Sequence, residues 1–248
     1  MNAIPEPVFD KVASRYDAVW SDTPVGKAQR YAVWKRVDPL FGHGDFVLDL
    51  GCGTGVDALH LQSRGVSVYA IDSSPRMVEI ARRRGVEAYC HPIERLGRLD
   101  LHFDGVVSNF GALNCVNSLA SVAWSLARMV RSGGHLALCF MSPVCFWEIA
   151  FHLMYAEPGK AFRRLRGCAD SSLGVSVFYP SGAAIVAAFQ SAFRLLRFYG
   201  IGVFVPPSYV TVFTDREVER LSAFDRRLAH KPVLRSVADH RLYVFERL

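Results

Sequence analysis

The sequence predicts a doubly wound α/β fold with a mostly parallel sheet, and three observations carry that expectation. Short apolar runs alternate with segments of helical period, as parallel βαβ units do. The run Phe46–Leu50 leads straight into Gly51-Cys52-Gly53-Thr54-Gly55, a bare turn where a strand ends. An acid, Asp72, closes the next apolar run, about twenty residues further on.

Composition narrows the class before any motif does. At 248 residues the chain suits one larger core, or a core with a small cap. Hydrophobic residues make up 51% and charged residues 21%, which excludes a disordered chain. A net charge of +6 leaves nucleic acid or an anionic substrate open and requires neither. None of the six cysteines is spaced C-x-x-C, so no zinc or other metal site is expected. MNAIPEPVFDKV has no basic region followed by an apolar stretch, and no charge-free run reaches membrane length. The expected setting is reducing and cytoplasmic.

The elements follow in order. Phe46–Leu50 reads as a buried strand, Val56–Ser63 as the helix after it, and Ser67–Ile71 as strand two. Ser74–Arg84 is a helix, with Ser74 to cap it, Pro75 in its first turn and Gly85 to end it. Val86–Cys90 and Gly105–Ser108 are strands three and four. Ser118–Arg131 is a helix closed by Ser132-Gly133-Gly134, and His135–Phe140 is strand five. Pro143–Ala156 is aromatic-rich and helical, Lys160–Arg166 is basic, Ser176–Tyr179 is an extra strand and Ser181–Ala192 a helix. Arg194–Val205, the helix Asp215–Ala229 and the strand Arg241–Glu246 complete the sheet. Pro7–Phe41 reads as helical, anchored by Tyr16, Trp20, Tyr31 and Trp34. Residues 1–41 therefore form a helical cap segment, 42–141 with 194–248 the core, and 142–193 an insertion forming a lid.

In such a sheet, ligands bind beyond the carboxyl ends of the strands, near the reversal of strand order. Glycine there admits positive φ and lets a ligand approach the main chain. The helix that follows offers unpaired N–H groups. The dinucleotide pattern G-x-G-x-x-G is not met, because the sixth position is Val56 and Gly55 falls one place early. Asp72 can accept hydrogen bonds from both hydroxyls of a ribose, so the turn and the acid together fit an adenosine ligand.

These residues resemble the class I S-adenosylmethionine-dependent methyltransferases, in their small-molecule branch. Val47-Leu48-Asp49-Leu50-Gly51-Cys52-Gly53-Thr54-Gly55 is similar to that family's first motif. VYAIDSSPRMVEIARRRG, FDGVVSNFGALNCV and MVRSGGHLALCFM are similar to its later blocks, and FDKVASRYDAVW to the short helix that closes over the cofactor. The resemblance is strong over residues 9–141 and weaker over 194–248. It implies a seven-stranded, Rossmann-like sheet with an antiparallel last strand, and S-adenosyl-L-methionine as cofactor. It implies that Asp49 lies beside the methionine portion, Gly51, Cys52 and Gly53 allow close approach, and Asp72 holds the ribose. Ser73 and Met77 then border the adenine, with Pro92 and Ile93 at the strand-three exit, and Asn109 and Phe110 sit under the sulfonium. Tyr16, with Arg15, could reach the cofactor carboxylate.

Methyl transfer from a sulfonium is a direct displacement, which needs the acceptor atom about 3–3.5 Å from the methyl carbon and in line. A base is needed only if the acceptor must lose a proton. His135 begins strand five at the wrong end. His152, in the insertion, and His240, at the start of the last strand, are the candidate bases, although His240 could equally pair with Asp239. Phe146, Trp147, Phe151 and Tyr155 recur at helical spacing and either pack the lid or line an acceptor pocket. Lys160, Arg163, Arg164 and Arg166 read as a solvated face. Cys115 has no partner base in view and is not taken as a nucleophile. The aromatic insertion points to a small organic acceptor, aromatic or apolar, which a quinone-like, lipid or secondary metabolite would fit. The open alternatives are an RNA or protein methyltransferase and a partner subunit that binds the cofactor without turnover. A nucleic-acid acceptor is disfavoured, because the N/D-P-P-Y/F block is absent after strand four. The oligomeric state stays open.

Overall fold

In the computed structural model, which describes residues 8–171 and 173–248, nine strands are present. They are Phe46–Leu50 (β1), Ser67–Asp72 (β2), Ala88–Cys90 (β3), Phe103–Ser108 (β4), Val130–Met141 (β5), Cys168–Asp170 (β6), Ser176–Phe178 (β7), Phe193–Ile201 (β8) and His240–Arg247 (β9). The helices are Pro24–Val37 (α1), Val56–Gln62 (α2), Pro75–Arg83 (α3), Leu119–Met129 (α4), Phe146–Met154 (α5), Pro158–Ala161 (α6), Gly182–Phe189 (α7), Asp215–Leu228 (α8) and Pro232–Arg235 (α9).

Seven strands form one sheet in the order β3-β2-β1-β4-β5-β9-β8, and β6 and β7 form a separate antiparallel hairpin. The first five strands of the sheet are parallel. β9 runs antiparallel between β5 and β8. This is the seven-stranded, mostly parallel sheet that the sequence predicts.

Period-two burial explains the layers. Leu48, Val106, Leu136, Leu138 and Phe140 pack with Val122, Leu126, Ile185 and Phe189 of α4 and α7 on one face. Val47, Val107, Ala137 and Cys139 pack with Val33, Val37, Ala58, Leu61, Val78 and Ala81 of α1, α2 and α3 on the other. Strands buried on both faces read as continuous apolar runs, which is why β1 and β4 are visible in the sequence.

The caps act as their residue types require. The Ser74 hydroxyl accepts the N–H of Met77 at 3.1 Å, the Ser118 hydroxyl that of Ser121 at 3.2 Å, and Thr214 with Glu217 forms a capping box on α8.

Four expectations need correction. β5 starts at Val130, because Val130 already pairs with Phe103 before an irregularity re-registers the strand at His135. β8 ends at Ile201, short of Val205, where positive φ at Gly202 turns the chain away. The N-terminal segment is not one helix: Val8–Lys11 and Ala13–Arg15 are 3₁₀ turns and Asp17–Ser21 a π turn, and only α1, capped by Thr23, is α-helical. Tyr31 is 43% exposed, with its ring 5.2 Å from the Lys35 ammonium, and belongs to the surface rather than the core. Residues 1–7 of the expected cap segment and Ser172 of the expected lid lie outside the described residues.

Gly105, at the centre of β4, is a steric constraint. A Cβ there would stand 2.2 Å from Cε1 of Phe41 and 2.6 Å from the His135 carbonyl oxygen. Gly105→Val should therefore destabilise the fold by roughly 1–3 kcal/mol. The expected result is a lower midpoint in urea unfolding with an unchanged slope; an unchanged midpoint would contradict the packing described.

Candidate functional site

β1 and β4 are sheet neighbours at the point where strand order reverses, and their carboxyl ends open a crevice between them. β1 delivers Gly51–Gly55 to it, and β4 delivers Asn109 and Phe110. A cavity of about 300 Å³ lies there, lined by Tyr16, Gly51, Gly53, Asp72, Ser73, Met77, Ile93, Asn109 and Phe110. Nine of the residues expected from the sequence thus meet in one place. A smaller recess of about 30 Å³ continues from it past Cys52, Thr54 and Arg30. Pro92 stands one residue outside the wall.

The turn is held by β2. The N–H groups of Gly51 and Cys52 both donate to the Ile71 carbonyl, at 2.8 and 2.9 Å. Gly51 has φ +79°, and a Cβ on it would stand 2.3 Å from that of Ala112. Gly53 has φ +52°, and nothing lies within 4 Å of where its Cβ would be, so its backbone faces open space. Its N–H donates to Asp72 Oδ2 at 2.9 Å, and the N–H of Ser74 donates to Oδ1 at 2.8 Å. Burial pushes the Asp72 carboxyl up, and these amides pull in the opposite direction without cancelling it.

Two buried groups hold polar atoms without partners: one oxygen of Asp49, behind the turn, although its carboxylate also takes the N–H of Ala58, and the whole amide of Asn109 on the cavity wall. Asp49 is 1% exposed, and its Oδ2 accepts no hydrogen bond. Burial pushes its carboxyl well above the usual range, and the Asp57 carboxylate adds to the effect. Asn109 is 8% exposed, and neither its amide oxygen nor its amide nitrogen has a partner. Buried polar atoms are almost always paired in a folded protein, and a polar ligand would pair both.

The N-terminal turns form a strap across the crevice. Phe9 and Tyr16 line it, and burial pushes the Tyr16 phenol up to about 12. Asp10 accepts from the Ser74 hydroxyl and, at 3.1 Å, from the N–H of Arg76. The Asp17 carboxylate accepts from the Thr54 hydroxyl at 2.8 Å and from Arg84 at 2.5 Å. Arg15 is exposed.

Arg30 of α1 escaped the sequence reading. It is 6% exposed, ion-paired with Asp57, and its guanidinium sits 4.8 Å above the Trp20 ring and 5.2 Å above that of Phe110. No motif marks it; the only trace is a buried cation inside a helix whose other inward positions are mostly apolar. Glu94 and Met141 also line the cavity, and so do Leu173, Val175 and Val177 of the β6–β7 hairpin.

The insertion differs from expectation in three respects. The cavity is walled on one side by the aliphatic side chains of the hairpin, and none of Phe146, Trp147, Phe151 and Tyr155 reaches it. Lys160–Arg166 is not a uniformly solvated face. Arg164 is 3% exposed and donates to Glu148 at 2.9 Å and to Asp239 at 2.9 Å, while Arg163 donates to Glu148 at 2.8 Å. The cause is Glu148 itself, a carboxylate on the buried side of α5 that requires counter-charges. Neither candidate base lines the cavity. The His152 Nδ1 lies 2.8 Å from Glu157, and His240 sits behind Phe110, 5.3 Å ring to ring, with Nδ1 3.2 Å from Asp239 but poorly aimed at it. Cys115 does line the cavity, and burial pushes its thiol to about 11, which keeps it protonated near neutral pH. Among the described residues no cluster of three or more His, Cys, Asp or Glu could hold a metal ion.

Residues 47–134 match the family described as a methyltransferase domain. The demethylmenaquinone methyltransferase of Mycobacterium sp. (strain KMS) is 34% identical over 154 residues, which is 60% of this chain and 64% of that protein. The chain thus spans somewhat less than two thirds of the length of the curated relatives it matches. Among solved structures, an S-adenosylmethionine dependent methyltransferase from Mesorhizobium loti superposes with a TM-score of 0.60 at 18% identity, covering 91% of this chain and 100% of that one. The [4+2]-cyclase SpnF superposes with a TM-score of 0.58 at 16% identity, covering 98% of each chain. At such identities the likeness shows the fold alone. The bare turn after β1 and the acid ending β2 fall within the same residues, 47–134, that match the methyltransferase-domain family.

Proposed function

We propose that the chain is an enzyme that transfers a methyl group from S-adenosyl-L-methionine to a small, apolar, ring-bearing acceptor of the quinone type. The observation that carries this reading is the unpaired Asn109 amide and the unpaired Oδ2 of Asp49, beside a turn whose Gly53 backbone faces open space. Those residues fit the donor. Asp72 keeps lone pairs for the ribose hydroxyls, Met77 and Ile93 border the base, and Glu94 stands where the base's amino group would be met. Asp49 receives the ammonium of the methionine portion and Arg30 its carboxylate. When bound, the donor supplies a methyl group already activated by a positive sulfur. Asn109 and Phe110 position that end, while Met141, Leu173, Val175 and Val177 keep water from it and seat an apolar acceptor. The names of the curated relatives specify demethylmenaquinone, which supports the quinone class here.

On this reading residues 1–41 are the cap over the donor, 42–141 with 194–248 the core, and 142–193 the lid over the acceptor. No imidazole among the described residues lines the cavity, so the acceptor enters reduced, as a quinol that loses its proton to water. Its oxygen or ring carbon takes the methyl, the C–S bond breaks to leave a neutral thioether, and a displaced ring proton also passes to water. His240 acts by backing Phe110, and His152 by fixing the lid through Glu157. All six cysteines are free thiols, which supports a reducing, cytoplasmic setting. No helix among the described residues is long and apolar enough to cross a membrane.

Incubation with labelled S-adenosylmethionine and a panel of quinols, phenols and amines should give labelled product. Asp72→Ala should weaken donor binding in calorimetry by at least about tenfold, as loss of a charge-assisted hydrogen bond would. Donor binding with no transfer to any acceptor would favour a cofactor-binding subunit; no donor binding at all would end the proposal.

Asp49 also sets a pH dependence. Its carboxyl lies well above the usual range in the free protein, and a cation beside it would lower that value, so binding releases a proton. Donor affinity should therefore rise as pH is raised from the ordinary carboxylate range toward neutrality, where the donor's ammonium stays charged. In Asp49→Asn the slope should vanish; an unchanged slope would remove Asp49 from the donor site.

A further inference from the structure

Helix α5 is built inside out. Its buried positions are Glu148 and His152, whereas Phe146, Leu153 and Met154 are 55%, 48% and 79% exposed. Positions 146, 150, 153 and 154 share one face of a helix, so that face is apolar and turned to solvent, the reverse of an ordinary surface helix. Just beyond it Tyr155, Phe162 and Leu165 are 59%, 41% and 57% exposed.

The orientation is fixed by the polar side. The Glu148 carboxylate accepts from Arg163 and Arg164, and from the Tyr209 hydroxyl at 2.7 Å. Arg164 in turn donates to Asp239, which bolts the helix to the start of β9. Rolling α5 over to hide its apolar face would strip a buried carboxylate of its partners, a heavier cost than the exposure it would relieve. The apolar face is therefore held outward and needs an apolar partner of its own.

Charge selects that partner. Between Cys145 and Cys168 four cations stand against two carboxylates, Glu148 and Glu157; Arg164 is interior, Lys160 and Arg163 are ion-paired near the surface, and Arg166 completes the positive excess. Both carboxylates are engaged within the segment, Glu157 with Lys160 and His152. Arg166 is exposed and has no ion-pair partner among the described residues. A second copy of the chain docked face to face would bring the same positive excess against itself. Protruding aliphatic and aromatic tips beside the exposed Arg166, on a segment of net positive charge, match the interfacial region of an anionic bilayer, where apolar side chains enter the acyl boundary and cations meet headgroups.

We propose that the outward face of α5, with the turn that follows it, docks on an anionic lipid bilayer. The hairpin whose Leu173, Val175 and Val177 wall the cavity is the direct continuation of this segment. Resting on the reading given under Proposed function, docking there would let an apolar acceptor reach the cavity from the lipid phase.

Flotation of the full chain with vesicles of phosphatidylcholine, with and without phosphatidylglycerol, tests the proposal and needs no donor, so it is independent of whether the chain binds S-adenosylmethionine. The chain should float with the phosphatidylglycerol vesicles, and less with rising salt. Leu153→Asp with Met154→Asp should reduce binding at least about tenfold at an unchanged circular dichroism spectrum, since both sites are exposed. Arg166→Glu should reduce it about fivefold or more. No flotation, or flotation unaffected by the double substitution, would overturn the proposal. So would a dimer in light scattering that the double substitution dissociates, because the face would then be a contact between copies.

Discussion

The Asp72 carboxylate is the constraint on which the site depends. Its two oxygens take N–H groups from Gly53 and Ser74, one in the turn after β1 and the other at the head of α3. A single acid thus ties together the ends of two neighbouring strands. The turn can then remain glycine-rich, and open to a ligand, without losing its shape. The Ser74 hydroxyl continues the chain of contacts by capping α3 and donating to Asp10 of the strap. Loop, helix head and strap are all referred to the end of β2.

A second polar centre organises the far side of the crevice. Asp239 accepts from Arg164 and from Gln29 of α1, and its backbone carbonyl accepts again from Arg164. Burial would raise its carboxyl, but His240 and Arg164 beside it hold it well below the ordinary range. A buried cluster of this kind adds little net stability, yet removing one member leaves the others unpaired in the interior. It fixes where the insertion sits relative to β9, and so where the hairpin meets the cavity.

How much of this the sequence discloses follows from the range over which each signal acts. The sheet is legible because β1, β2, β4 and β5 are buried on both faces and therefore continuously apolar, and because Ser74, Pro75 and Ser118 cap helices by local chemistry. The glycine turn and its acid are legible because Asp49, Gly51, Gly53 and Asp72 sit within one βαβ unit. The opposite wall of the cavity is not. Arg30, Met141 and Val177 meet only through tertiary packing, and nothing in their neighbours marks them. Nor could helical spacing reveal that α5 turns its aromatic and aliphatic side outward: periodicity reports that a helix has two faces, and the ion pairs of Glu148, set by residues about fifteen positions away, decide which of them is buried. The same distance effect misplaced Arg164, which sits in a basic run and is nonetheless interior.

The cavity has two walls of independent origin. Phe9 and Tyr16 come from the strap, fastened through Asp10 and Asp17 to the ends of β1, β2 and α3. Leu173 and Val175 come from the hairpin, whose segment is fastened through Arg164 to β9. The two fastenings share no residue, so a substitution that breaks one leaves the hydrogen bonds of the other in place, and the crevice keeps one wall when it loses its opposite.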